Sequence, residues 1–170
     1  MTIAIRPETE ADYRDVWQLH RVVFDSEAEP NLVDALRECG AASVSLVAVD
    51  DTSVVGHILF SPVSIVTESG TVEAVSLAPM GVVPERQREG IGSLLVEAGL
   101  EECRQQGHSI AVVLGHPEYY PRFGFSADAA RRLDCPFGSG DVWMAMELSP
   151  GALDGVEGRV EYAAPFSAFE

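Results

Sequence analysis

Lysine is missing from this chain. All 11 basic residues are arginine, set against 27 acidic ones, for a formal net charge of −16. So acidic a balance argues against nucleic acid as a partner, because that binding rests on Lys and Arg neutralising phosphates. It argues equally against an anionic membrane surface. It suits a cationic amine drawn in by the field, and it suits plain solubility just as well. Cysteine is scarce too. Cys39, Cys103 and Cys135 are widely spaced and odd in number, so there is no disulfide framework and no metal-ligand spacing, and no metal is expected. A reducing cytoplasm is the expected compartment. No apolar run reaches the ~18 residues of a spanning helix. The opening Met1-Thr2-Ile3-Ala4-Ile5-Arg6 lacks a basic start followed by an apolar core, so no signal peptide is expected. Internal repeats, heptads and low-complexity tracts are also lacking.

What is there is a chain of 170 residues, 46% apolar, in many short Val/Ile/Leu runs. That composition predicts a folded domain with its own core. Residues 2–6 alternate as a short strand. A helix is expected to start at Glu8 or Thr9, with Ala11, Val16, Leu19, His20 and Val23 at rough helical spacing. A second helix carries Leu32, Val33 and Leu36 and ends near Gly40. Strands follow at 43–49 and 54–66, with a turn at 50–53. After a turn at 68–70, a long central strand spans 72–83. Pro79 lies inside it and predicts a break or bulge, since proline donates no ladder bond. A helix over 91–106 ends at Gly107. The continuous apolar run 109–114 reads as a strand buried on both faces. A helical turn near Tyr119, a strand at 142–148 and one more at 158–163 complete the pass. Hairpins, one strand-helix-strand crossover and two early helices make a mixed α/β sheet. Residues 1–148 read as one domain, and residues 149–170 as a C-terminal extension packed on it. The 158–169 stretch also suits an exchanged strand in a homodimer.

The most informative stretch is Val83-Pro84-Glu85-Arg86-Gln87-Arg88-Glu89-Gly90-Ile91-Gly92-Ser93. It joins the central strand to the helix at 91. A helix entrance leaves several backbone N–H groups without intrahelical partners, and the helix dipole adds positive potential there. Gly90 and Gly92 let an anion approach the backbone, and Arg86 and Arg88 add cationic side chains. The pattern predicts a diphosphate-binding loop held by the N–H groups of Arg88, Glu89, Gly90, Ile91, Gly92 and Ser93. It is not a Walker loop, because no Gly-Lys-Ser/Thr follows, and Gly-x-Gly-x-x-Gly is absent.

The six residues Gln87-Arg88-Glu89-Gly90-Ile91-Gly92 resemble the Gln/Arg-x-x-Gly-x-Gly/Ala signature of the GNAT superfamily of acetyl-CoA-dependent N-acetyltransferases. The flanks agree. Val82-Val83-Pro84 precedes the signature, and Tyr120-Pro121-Arg122-Phe123-Gly124-Phe125 follows about thirty residues later, similar to the family's Tyr-x-x-x-Gly-Phe element. The resemblance covers roughly residues 1–148. It implies a mixed, mostly antiparallel twisted sheet with helices on both faces and splayed central strands. It implies an acyltransferase that moves acetyl from acetyl-CoA to a primary amine, on a small molecule or a protein. A non-catalytic acyl-CoA-binding sensor is the alternative reading. With no lysine, the chain cannot acetylate itself on that residue.

By the same resemblance, Met80, Gly81, Val82 and Val83 pair along the pantetheine arm of acetyl-CoA. Tyr120 is the candidate general acid, because a phenol is protonated at neutral pH and can protonate the departing thiolate. Tyr119 reads as packing. The base is open among Glu73, the acidic residue within the central strand, and His116 or Glu118 beyond the later one. An imidazole titrates near neutrality and suits the role. Relatives often carry an Asn after the later strand, where this chain has Gly115-His116-Pro117. His57, flanked by apolar residues, reads as a satisfied core or groove histidine. Cys103 has no nearby His in sequence and is not read as a nucleophile. Direct attack in a ternary complex is expected.

Overall fold

The computed structural model describes residues 2–169. Its strands are β1 (Ile3–Pro7), β2 (Val44–Asp50), β3 (Ser53–Thr67), β4 (Gly70–Val82), β5 (Ile110–Leu114), β6 (Leu133–Asp134), β7 (Trp143–Glu147) and β8 (Gly158–Glu161). Its helices are α1 (Tyr13–Phe24), α2 (Ala28–Glu38) and α3 (Ile91–Gln105), with single 3-10 turns between elements. Of the described pairings, β4–β5 and β6–β8 are parallel and the others antiparallel, giving a mixed, mostly antiparallel α/β fold. The chain groups into two compact units. One holds residues 1–60 and 78–102, the other 61–77 and 103–170.

In the first unit, β1, β2 and the start of β3 form an antiparallel ladder, with Ile5 opposite Ala48 and Val47 opposite His57. The helical spacing read from the sequence places Val16, Leu19 and His20 on the buried face of α1. Leu32, Val33 and Leu36 do the same for α2. Ile58, Phe60, Ile91 and Leu95 of the same unit are buried as well. The first helix begins later than its pattern predicts. The Thr9 N–H donates to Asp12 Oδ2 at 2.7 Å, closing a 3-10 turn over Glu10–Asp12 before α1 starts at Tyr13. Glu8 lies outside the helix, its N–H donating to the Ser45 carbonyl of β2 at 3.0 Å and its carboxylate accepting from Arg37 of α2.

In the second unit, β5 pairs parallel with β4 (Val75 opposite Ala111) and antiparallel with β7 (Val112 opposite Ala145). Ile110, Ala111, Val112 and Val113 are all buried, as their unbroken apolar run predicts. Val63, Ile65, Ala74, Ile110, Val112, Leu133, Trp143 and Val160 share one core, and the Trp143 indole donates to the Leu133 carbonyl at 2.8 Å. Residues beyond 148 supply β8, which pairs with the end of β3 (Ile65 opposite Val160) and with β6. The break expected at Pro79 takes another form. β4 continues through it, the Ala78–Pro79 peptide is cis, and the described ladder to β5 stops upstream at Ser76.

Candidate active site

The loop ahead of α3 is built by backbone turns of opposite hand. Val83 N–H donates to the Val55 carbonyl at 2.9 Å, which ends the pairing of β4 with β3. A 3-10 turn over Pro84–Arg86 follows. Arg88 (φ 67°) and Gly90 (φ 87°) then take left-handed conformations, costly for the arginine and free for the glycine. Leu94 N–H donates to the Gly90 carbonyl at 3.1 Å, so the helical ladder starts there. The N–H groups of the first turn precede that bond, at the positive end of the helix dipole.

Side chains brace this loop. Arg86 donates to Asp50 Oδ2 at 2.6 Å and to Glu89 Oε1 at 3.1 Å. It thus ties the loop to the end of β2, and is not the unengaged cation that its position in the sequence suggests. Gln87 Nε2 donates to the Val82 carbonyl at 2.9 Å, so the first residue of the signature also fastens the loop to β4. Arg88 is exposed and makes no ion pair among the described residues. Gly92 and Ser93 are half-buried at the start of α3. In β4, Gly81 and Val82 are buried, and Met80 and Val83 half-buried.

The second unit holds Tyr120, within a 3-10 turn over Tyr120–Phe123. Its backbone N–H and that of Tyr119 both donate to the His116 carbonyl, at 3.3 and 3.1 Å, so His116 and Tyr120 flank one turn. The Tyr120 ring packs edge-on against Tyr119 and Phe125. Burial, helped by Tyr119, pushes its hydroxyl up to about 12, which keeps the proton on oxygen. Gly115 makes room for that ring, since a Cβ there would lie 2.5 Å from Tyr120 Cε2. An Asn at this position is sterically incompatible with Tyr120 as placed. The His116 side chain is exposed. Glu73 is exposed as well, near the hairpin end of β4, and accepts from the Ser64 hydroxyl at 3.3 Å.

A buried polar chain in the first unit escaped the sequence reading. Arg37 donates to both Glu8 oxygens, at 2.7 and 2.9 Å. Glu8 Oε1 lies 3.3 Å from His57 Nε2, and Ser45 Oγ lies 2.8 Å from the same nitrogen. His57 Nδ1 in turn lies 2.8 Å from His20 Nε2. Both imidazoles are fully buried. Burial raises the Glu8 carboxyl, but the hydrogen bonds from Arg37 and His57 outweigh it and bring it down to about 2. Burial, reinforced by His57 and Arg37, brings His20 down to about 3, and burial lowers His57 as well. The group is a carboxylate–arginine pair feeding two neutral imidazoles. Helical spacing puts His20 on the inner face of α1, but nothing local in the sequence links it to residues 8, 37, 45 and 57.

Residues 4–127 match the acetyltransferase (GNAT) domain family. The chain is 37% identical to the N-acetyltransferase YhbS of Escherichia coli K12 over 167 residues, covering 97% of this chain and 99% of YhbS. The crystal structure of E. coli YhbS in complex with CoA matches with a TM-score of 0.90 at 35% identity, over 99% of this chain and 93% of that one. A GNAT family acetyltransferase from Brucella melitensis, in complex with acetyl-CoA, matches with a TM-score of 0.82 at 35% identity, over 97% and 98%. The loop that precedes α3 and the Tyr120 turn therefore sit in a chain that belongs to the GNAT family of acetyltransferases, enzymes that move an acetyl group from acetyl-CoA to an amine.

Proposed function

We propose that this chain binds acetyl-CoA along β4 and the loop ahead of α3, and transfers its acetyl group to a primary amine by direct attack in a ternary complex. The amine belongs to a small molecule or to a protein. Residues 1–148 are the catalytic domain in this reading, and 149–170 extend it. The observation that carries it is the loop backbone. Left-handed Arg88 and Gly90 lead into the first turn of a long helix, and Arg86 and Gln87 brace the loop from outside. Those features suit a diphosphate, an anion that needs converging N–H donors more than side-chain contacts.

The backbone N–H groups of Arg88, Glu89, Gly90, Ile91, Gly92 and Ser93 hold the diphosphate, with the Arg88 guanidinium beside it. Met80, Gly81, Val82 and Val83 run along the pantetheine arm. Tyr120, protonated and buried, gives its hydroxyl proton to the sulfur as the C–S bond breaks and the C–N bond forms. The amine proton leaves to a base. His116, one turn before Tyr120, is our first choice, and the Glu73 carboxylate our second. Orientation of two bound reactants supplies much of the rate, because a thioester is already activated.

Calorimetry with acetyl-CoA, ATP and the Gly92→Glu variant tests this. The variant places bulk and negative charge where the diphosphate is held. Micromolar binding of acetyl-CoA, absent for ATP and lost in a folded variant, is expected. Acetyl-CoA at a hundredfold over its Kd should also raise stability by ~2.7 kcal/mol. A folded protein that binds no acetyl-CoA would remove the reading.

A further inference from the structure

The buried polar chain of the first unit holds a fixed set of protons, and each can be placed on an atom. An ionised carboxylate only accepts, so the His57 Nε2 that faces Glu8 carries a proton and shares it with the Ser45 oxygen. His57 Nδ1 is then a bare lone pair, and the His20 Nε2 beside it, at 2.8 Å, donates to it. A neutral imidazole has one N–H, so His20 Nδ1 is bare as well. That last atom is sealed. Among the described residues it has no hydrogen-bond partner, its residue is closed to solvent, and a Cβ built on Gly81 of β4 would lie 3.3 Å from it.

The docked structure therefore has no place for one proton more. On His57 Nδ1 it would point at the His20 N–H. On His20 Nδ1 it would make a buried cation packed on carbon with no acceptor in reach, which costs several kinds of contact at once. Taking up a proton has to part the two rings. His57 is held in β3, with Val47 of β2 opposite it and β4 on the other side of the strand. His20 belongs to α1, which has no ladder bonds and rests on one face through Val16, Leu19 and His20. The helix is the member that can move.

We propose that α1 is released by acid as a unit: His20 and His57 take up two protons, and the helix lifts off β3 and β4 while the strands stay paired. No bond to a ligand is involved, so the proposal stands apart from the acetyl-transfer reading. The charged groups around the two rings are Glu8, Asp12 and Arg37, and Arg37 in turn is paired with Asp34 and lies over the Tyr13 ring. The Glu8 carboxyl is held down at about 2, so it keeps its charge while the rings titrate. Burial holds both imidazoles below their ordinary 6.5, so the released state takes up protons first. Docking is complete above about pH 6.5 and is lost as pH falls. With two protons per release, the ratio of released to docked helix should rise about a hundredfold per pH unit below that point.

The chain carries its own pair of reporters, since it has 2 tryptophans. Trp17 of α1 donates its indole N–H to Asn31 Oδ1 of α2 at 3.1 Å, and Trp143 in the second core donates to the Leu133 carbonyl at 2.8 Å. Nitrogen-15 spectra of the wild-type protein from pH 7 to 4 follow both indole signals, assigned with Trp17→Phe. The Trp17 signal should move to its solvent-exposed position reversibly and at a higher pH than any change at Trp143. Loss of both signals together overturns the proposal, because it means that acid only unfolds the whole chain. An unmoved Trp17 signal down to pH 4 overturns it as well. His20→Phe removes one of the two titrating rings, so the Trp17 change should shift to lower pH and become less steep. Should that variant not fold, the histidine rings of the wild-type protein still decide. At pH 7 they should show His20 and His57 protonated at Nε2 and bare at Nδ1, and a proton on His57 Nδ1 would overturn the proposal, since Nε2 could then accept another without disturbing α1.

Discussion

The Tyr120 ring rests against the bare Cα of Gly115, so closely that a single added methyl group would overlap Cε2. Gly115→Ala must therefore push the ring aside without touching its chemistry. We expect it to lower kcat at least ~10-fold, as Tyr120→Phe does by removing the hydroxyl, with acetyl-CoA affinity near wild type in both. Thiol release under saturating acetyl-CoA, paired with calorimetry, reads both quantities. Full turnover in Tyr120→Phe would take Tyr120 out of the acid role.

The Glu8–Arg37 pair is almost closed to water, with side-chain exposures of 7% and 10%. Removing one partner leaves the other charge buried. Glu8→Leu should cost on the order of 3 kcal/mol in urea unfolding, and Arg37→Met a similar amount. The double variant Glu8→Leu with Arg37→Met should cost clearly less than the two single losses added together. Simple additivity would mean that the pair contributes no coupling.

Acid should unfold this protein in two stages. His20 falls from an ordinary 6.5 to about 3, and Glu8 from 4.5 to about 2. In each case the unfolded chain takes up a proton first, so stability rises with pH across the interval. The histidine contribution is complete above about pH 6.5 and fades below it, at a slope of ~1.4 kcal/mol per pH unit for each buried imidazole. The carboxylate contribution is complete above about pH 4.5 and fades toward 2. Glu8, Asp12 and Arg37 are the charges that act on these rings. Urea midpoints measured from pH 7 to 4 should fall, and His20→Phe should flatten the upper part of that decline. A flat wild-type profile between pH 6.5 and 4.5 would contradict the buried neutral pair.

Asp50 is tied to the loop ahead of α3 through Arg86, at 2.6 Å. Asp50→Ala should leave thermal stability nearly unchanged, since a partly exposed ion pair contributes little. It should weaken acetyl-CoA severalfold by loosening the turn that presents the N–H groups. Equal affinity in the variant would show that the Asp50 contact is not needed to hold Arg86 in place.

Much of the fold was legible because its signals are local. The run Ile110–Val113 is apolar at every position and proved buried at every position. The entrance to α3 could be placed because its glycines mark a turn into a helix, and Gly90 takes the left-handed conformation just before Ile91. The α-helical part starts later than read because Thr9 caps a 3-10 turn over Glu10–Asp12 first, while the Glu8 N–H still bonds the Ser45 carbonyl of β2. Gln87 reads as part of a binding signature, yet its side chain turns inward to the Val82 carbonyl, a contact that needs the loop's curvature to be seen. The two-imidazole chain was illegible for a deeper reason. Its members come from an N-terminal segment, two helices and two strands. His57 was read as a satisfied histidine, and His20 as one position on a helical stripe. Only the fold shows that the first satisfies the second and leaves it one lone pair over.

The grouping of residues 61–77 with 103–170 has a genetic consequence. Three residues of the second core, Val63, Ile65 and Ala74, are encoded inside the stretch that otherwise specifies the first unit. A gene fragment starting at codon 103 would express the later strands without the hairpin that carries those three side chains. Neither half of this enzyme could thus be traded between relatives by a single crossover. Recombinants would need the 61–77 hairpin exchanged together with the C-terminal portion it packs into.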